Sequence, residues 1–210
     1  MRFALLKFFK DIGRIFSGRN LIWHGVAIIA TYLLVISGFD WWIVTTFRGT
    51  ELRVLAGGGG SLGFLVPVVL PLCMLAIGWV RRNRELIRNG WLLAQAEITA
   101  VLLSFFYKAF TGRPGPHGGL IDNSHVFQFG FLRGGVFWGW PSSHIIVAVA
   151  GMVALMVLYR RNALVKYLCL AYAIYIGLAV SITFHWFSDG VAAAILGTVV
   201  GLTVVRARKN

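Results

Sequence analysis

The chain has 210 residues, of which 58% are hydrophobic and only 13% are Asp, Glu, Lys or Arg, far less charge than a soluble domain of this size carries. That balance excludes an ordinary soluble globular domain and points to an integral membrane protein. The formal charge of +13 does not indicate nucleic acid, because the basic residues are divided among short segments beside apolar runs, where anionic phospholipid headgroups account for them more simply.

In chain order, Met1 to Asn20 interleaves Arg2, Lys7, Lys10, Arg14 and Arg19 with Phe3, Leu5, Leu6, Phe8, Phe9, Ile12, Ile15 and Phe16. This is the pattern of a short amphipathic helix lying on the cytoplasmic leaflet. Charge breaks its apolar run and no small-residue cleavage site follows, so it does not read as a signal peptide. Apolar runs near 21–38, 61–79, 90–107, 144–159, 166–184 and 190–205 each approach the roughly 20 residues that cross about 30 Å of hydrocarbon. The expected fold is therefore all-α: a six-transmembrane-helix bundle over 21–210, preceded by an N-terminal interfacial amphipathic helix over 1–20. Fifteen Lys and Arg residues flank the bundle end shared with the N-terminus and five flank the other, which puts both termini in the cytoplasm. The compact chain suits a bacterial inner membrane.

Trp41, Trp42, Trp79, Trp91, Trp138, Trp140 and Trp186 fall near span boundaries and read as interfacial anchors. Gly57 to Gly60 reads as a flexible hinge, and Pro67 and Pro71 should bend the second span. Glu97 lies well inside the third span, where an isolated carboxylate is costly; a structural polar contact and a role near the chemistry both remain open. His24 reads as a packing or hydrogen-bonding residue. Cys73 and Cys169 lie in apolar spans and supply neither a disulfide framework nor a metal-ligand set.

Three polar clusters interrupt this pattern, all on the predicted outer side. Lys108 and Arg113 could hold a phosphate at a helix end, Arg through its forked donors and Lys as a compact charge, or could simply snorkel to the interface. Pro141-Ser142-Ser143-His144 opens the fourth span, where hydroxyls either cap the helix or bind an anion and His144 can exchange a proton. His185 and Asp189, which four-residue spacing would put on one face of a continuous helix, can divide the work, the carboxylate holding one imidazole nitrogen and leaving the other to attack phosphorus, or can form a structural hydrogen bond at the membrane rim. The Gly-rich loop between spans three and four carries His117, Asp122, His125 and Arg133. Its His and Asp residues suit headgroup contacts better than a metal site, because their spacing is irregular.

Lys108-Ala109-Phe110-Thr111-Gly112-Arg113-Pro114, Pro141-Ser142-Ser143-His144 and His185-Trp186-Phe187-Ser188-Asp189, in this order, resemble the three signature elements of the type 2 phosphatidic-acid phosphatase superfamily of integral-membrane lipid phosphatases. Three departures accompany the likeness. Four rather than six residues separate Lys108 from Arg113, Ser143 stands where glycine is usual, and Leu178-Ala179 occupies the place of the Ser-Arg that begins the third element. The resemblance implies that His185 forms a phosphohistidine, Asp189 orients it and His144 protonates the leaving oxygen. Lys108, Arg113, Ser142 and Ser143 would hold phosphoryl oxygens, with Arg133, His117, His125 and Glu97 as possible accessories and with no metal or cofactor required. Ala179 removes a phosphate donor that Arg133 or another outer-loop residue would have to replace. The implied activity is hydrolysis of a membrane lipid phosphate or diphosphate at the extracytoplasmic face. Lipid-to-lipid phosphotransfer and non-catalytic binding or transport of a phosphate lipid are the alternatives.

Overall fold

Asparagine side chains start two of the helices: Asn83 accepts from Leu86 N at 3.0 Å and Asn162 from Val165 N at 3.1 Å, each satisfying an amide that a helix start leaves bare. The computed structural model describes residues 2–116 and 121–206, and the fold is all-α. In chain order the helices are α1 (Arg2–Ile15), α2 (Asn20–Ile36), α3 (Phe39–Phe47), α4 (Glu51–Ala56), α5 (Gly59–Val80), α6 (Arg84–Thr111), α7 (Ser143–Leu158), α8 (Ala163–Thr183) and α9 (Phe187–Arg206).

The six apolar runs do become helices, but they are not six spans. Among the described residues, four helical segments are long and apolar enough to cross a membrane, Glu51–Val80, Arg84–Thr111, Ala163–Thr183 and Phe187–Arg206, or five if the bent pair Phe9–Ile15 and Asn20–Ile36 counts as one. The expectation of six failed because hydropathy does not separate residues that face lipid from residues that face protein. Helix α7 has only 16 residues, about 24 Å at 1.5 Å per residue, short of about 30 Å of hydrocarbon. Its apolar side chains are instead buried by α5, α6, α8 and α9 packed around it.

One further expectation for the second span also changed. Gly59 and Gly60 form the first turn of α5 rather than a hinge, because a bulkier residue there would strike α8: a Cβ on Gly60 would lie 2.8 Å from the Phe184 ring. Pro67 and Pro71 lie inside α5, which runs as one helix from Gly59 to Val80. His24 does act as a hydrogen-bonding residue. Its Nε2 donates to Ile15 O at 3.0 Å, which leaves Nδ1 to accept from the Tyr107 hydroxyl, so it ties the α1–α2 elbow to α6.

The tightest seam runs between α7 and α9. A Cβ on Gly197 would fall 2.7 Å from Ile146 O, and one on Gly201 would fall 2.5 Å from Ala150 O. Glycines four residues apart let the two backbones touch, which matters where lipid tails are as apolar as side chains and only close packing favours helix association. The seam brings the starts of α7 and α9 to the same end of the bundle as the ends of α6 and α8. The basic junctions at Arg81–Arg84 and Arg160–Arg161 occupy the other end.

Gly201→Val should overpack this seam by about 1–3 kcal/mol and visibly lower the unfolding midpoint in detergent. Gly177→Ala, where an added Cβ meets nothing within 4 Å, should leave the midpoint unchanged or slightly raised.

Candidate active site

Helix α6 ends at Gly112, whose φ of +46° and amide bond back to Lys108 O close the helix in the left-handed conformation that glycine adopts without strain. The chain therefore turns sharply, and Arg113 points back into the bundle. On the far side of the site, Gly38 turns the chain in the same way between α2 and α3, so that Asp40 enters from the first turn of α3 with no exposed surface.

The Arg113 guanidinium is almost fully buried, and all five of its N–H groups meet protein acceptors. Nε and Nη2 donate to Ser124 O, Nη1 to Ser188 Oγ and Asp189 Oδ1, and Nη2 also to Asp40 Oδ2 at 2.8 Å. Asp40 in turn accepts from the Ser188 amide at 2.8 Å and from the Ser188 hydroxyl, capping the start of α9 from another helix. The rings of Phe127 and Trp186 lie 4.8 Å and 5.6 Å from the guanidinium carbon. This gives the cation aromatic faces as well as carboxylates.

Asp189 holds His185 on its second oxygen, with Nδ1 3.2 Å from Oδ2. With that nitrogen donating to the carboxylate, Nε2 is left as the unprotonated nitrogen. Burial lowers the His185 pKa below the ordinary imidazole value, against an opposing pull from the Asp189 hydrogen bond and charge, so the ring is neutral at neutral pH. His144, at the start of α7, lies with its ring centroid 6.2 Å from that of His185, wedged by Phe64 at 4.5 Å. The two histidines thus share one end of the bundle.

Among the described residues, His144 Nδ1 and Ser142 Oγ are buried without a hydrogen-bond partner, an arrangement that costs free energy unless another group meets them. Lys108 donates to Phe137 O at 3.0 Å, which occupies one of its three N–H groups, and its charge acts on both histidines and on Asp189. Ser143 instead hydrogen-bonds Ser104 across α6 and α7 at 2.9 Å. These groups bring a neutral imidazole, a second imidazole, an ammonium and a free hydroxyl to one buried end of the bundle. Such a set suits transfer of a tetrahedral anion.

The accessory candidates are scattered. His125 and Arg133 are exposed on the loop between α6 and α7, and the Arg133 stem folds against Gly130. Glu97 is buried against Gly151, with neither oxygen hydrogen-bonded among the described residues. It lies 11 residues back along α6 from Lys108, about 16 Å at 1.5 Å per residue, well away from the histidines. His117 lies outside the described residues. Sequence reasoning missed Asp40, although it is one of only seven acidic residues in the chain and sits at a span boundary. It also missed Arg53 of α4, whose Nη2 donates to Thr183 O at 3.3 Å, two residues before His185.

A helical membrane protein with a His-Asp pair and a second histidine beside buried cations belongs with enzymes that move phosphoryl groups at a bilayer surface. The family model of the PAP2 superfamily matches residues 89–210, more than half of the chain, and the chain belongs to that superfamily. Membership supports an enzyme of the phosphatase or phosphotransferase type that processes lipid phosphates. Comparisons with curated proteins and with solved structures found no match.

Asp40→Ala should leave Arg113 with one carboxylate fewer in a desolvated site. Removing one partner of a buried pair costs about 3–5 kcal/mol, so the unfolding midpoint in detergent should drop sharply. Glu85→Ala, which removes an exposed partner 3.7 Å from Arg88, should change stability by about 0–1 kcal/mol.

Proposed function

We propose that the chain is a lipid phosphatase that hydrolyses a membrane lipid phosphate or diphosphate through a phosphohistidine on His185. The observation that carries this reading is the His185–Asp189 pair, with the ring of His144 6.2 Å from that of His185. In the first step the Nε2 lone pair of His185 attacks phosphorus. The N–P bond forms, the P–O bond to the lipid breaks, and the departing oxygen takes a proton from His144, whose pKa burial and the His185 and Lys108 charges lower to about 4 and which takes up that proton beside the bound phosphate's negative charge. Water then attacks phosphorus while giving a proton to the now neutral His144. The N–P bond breaks, phosphate leaves, and both histidines return to their starting states.

Lys108 and Ser142 face the transferring oxygens. Arg113 reaches them only by exchanging one of its protein acceptors, and its principal work is to fix Asp189. On the alignment that sets Ala179 at the place of the third element's arginine, Arg53 supplies the replacement guanidinium. Its helix approaches the end of α8 where Gly59 packs directly on Ala179. The reaction face is extracytoplasmic, because the basic junctions and the α1 elbow gather at the opposite end, and positive charge marks the cytoplasmic side. Residues 1–20 form the interfacial segment on that cytoplasmic side, where anionic phospholipids meet the basic residues, and residues 21–210 form the enzymatic domain.

Purified protein in detergent should release inorganic phosphate from at least one member of a panel of isoprenoid diphosphates, phosphatidic acid, phosphatidylglycerol phosphate and lipid A. His185→Ala should abolish that release. Label appearing in an acceptor lipid instead of free phosphate would make the enzyme a phosphotransferase, and saturable lipid binding without turnover would make it a binding protein. Arg53→Ala should slow phosphate release by about 10²–10³-fold, the usual loss for a transition-state donor. Arg53→Lys should recover part of it, and Arg133→Ala should leave the rate near the starting value.

A further inference from the structure

A cleft of about 960 Å³ opens at the end of the bundle opposite the histidines, between the α1–α2 elbow and the second half of α9. Arg14, Arg19 and Arg206 line it, together with the apolar side chains of Trp23, Ile195 and Leu202. Arg14 is paired with Asp11 at 3.1 Å, while no carboxylate lines the cleft itself among the described residues. The wall along α9 runs from Ala194 to Arg206, about 18 Å at 1.5 Å per residue. A charged rim therefore leads into a long apolar trough.

We propose that this cleft binds one anionic glycerophospholipid of the surrounding leaflet, its phosphate on the arginines and an acyl chain along Trp23, Ile195 and Leu202. Charge complementarity selects the headgroup: with Arg14 paired to Asp11, Arg19 and Arg206 still leave the lining a surplus of guanidiniums with no carboxylate among the described residues, which favours a net negative lipid over a zwitterionic one. The apolar trough selects an acylated ligand over a soluble phosphate, since a small anion would leave that surface uncovered.

The walls are held in place without the ligand. Asn20 Nδ2 donates both to Arg14 O at 2.9 Å and to Thr203 Oγ1 at 3.2 Å, and His24 fixes Ile15 from below. The elbow, bent by 55° between its two helices, is thus tied to α9 beside the cleft, and a bound lipid bridges the same two elements. Along α9 the charged end of the cleft at Arg206 lies about 30 Å from His185, while its nearest wall residue, Ala194, lies about 13 Å away. Its occupant is a resident lipid, not the lipid that is turned over, and the proposal does not rest on the phosphatase reading.

The test uses the full chain carrying His185→Ala, so that no lipid is consumed, in a mild detergent. Thermal unfolding is followed while dioleoyl phosphatidylglycerol, dioleoyl phosphatidylcholine or glycerol 3-phosphate is titrated in. The expected result is a saturable rise in midpoint with phosphatidylglycerol alone, since a ligand that binds only the folded state stabilises it. Native mass spectrometry should show one retained lipid. Arg19→Gln with Arg206→Gln should weaken the apparent affinity roughly thirtyfold, at about fivefold per arginine near the surface. Leu202→Trp, which keeps every charge but fills the trough, should weaken it as well. An equal rise with phosphatidylcholine, a rise with glycerol 3-phosphate at the same concentration, or a phosphatidylglycerol effect untouched by the arginine pair would each overturn the proposal.

Discussion

The guanidinium of Arg113 joins segments that apolar contact alone would leave free to slide: the first turn of α3, the first turn of α9 and the α6–α7 loop at Ser124. Taking one cation and two carboxylates out of water costs several kcal/mol per ion, and such a cluster is tolerable only when every donor is met. Arginine satisfies that condition with five N–H groups in a plane, two carboxylates and a carbonyl around them. A lysine at the same place would offer three donors in the wrong directions. The cluster carries one net negative charge, which Lys108 offsets from the neighbouring helix end. His185 takes its orientation from the same network, because the Asp189 carboxylate shared with Arg113 is the one that holds its ring.

Beneath this polar cap the bundle is organised around α7. A helix so enclosed must accept its neighbours at short range, and the seam with α9 does so through Gly197 and Gly201, while Gly151 on another face makes room for the Glu97 carboxylate. The backbones are close enough that the start of α7 and the start of α9 are fixed relative to each other; the Ser142 amide even donates to Asp189 O at 3.4 Å. Packing in the hydrocarbon zone thus sets the separation of the two histidines at its edge.

Much of this was legible in the chain. The six apolar runs became helices at nearly the expected places, and Lys108, Ser142, His144, His185 and Asp189 gathered at one end, because each sits at the terminus of such a run. What the sequence could not show was which helices face lipid: α7 is as apolar as a span but is enclosed by protein. The partners of Arg113 were hidden for a different reason. Asp40 is 73 residues from Arg113 and 148 from Ser188, and no periodicity relates positions on different helices. It also precedes the stretch that matches the family model. Gly57 to Gly60 misled because a run of glycines reads as freedom, whereas Gly59 and Gly60 are small for want of room.

The placement of Asp40, Arg113 and Asp189 in three well-separated parts of the polypeptide bears on biogenesis. During synthesis Asp40 emerges first, Arg113 next and Asp189 last, after most of the chain has left the ribosome. The first two can neutralise each other while the nascent helices are still entering the bilayer, so neither waits as a lone ion. The final acid then docks onto a cation that already has a counter-ion, and only at that moment does the imidazole beside it acquire a fixed orientation. The carboxylate that orients His185 is thus in place only once the last helix is.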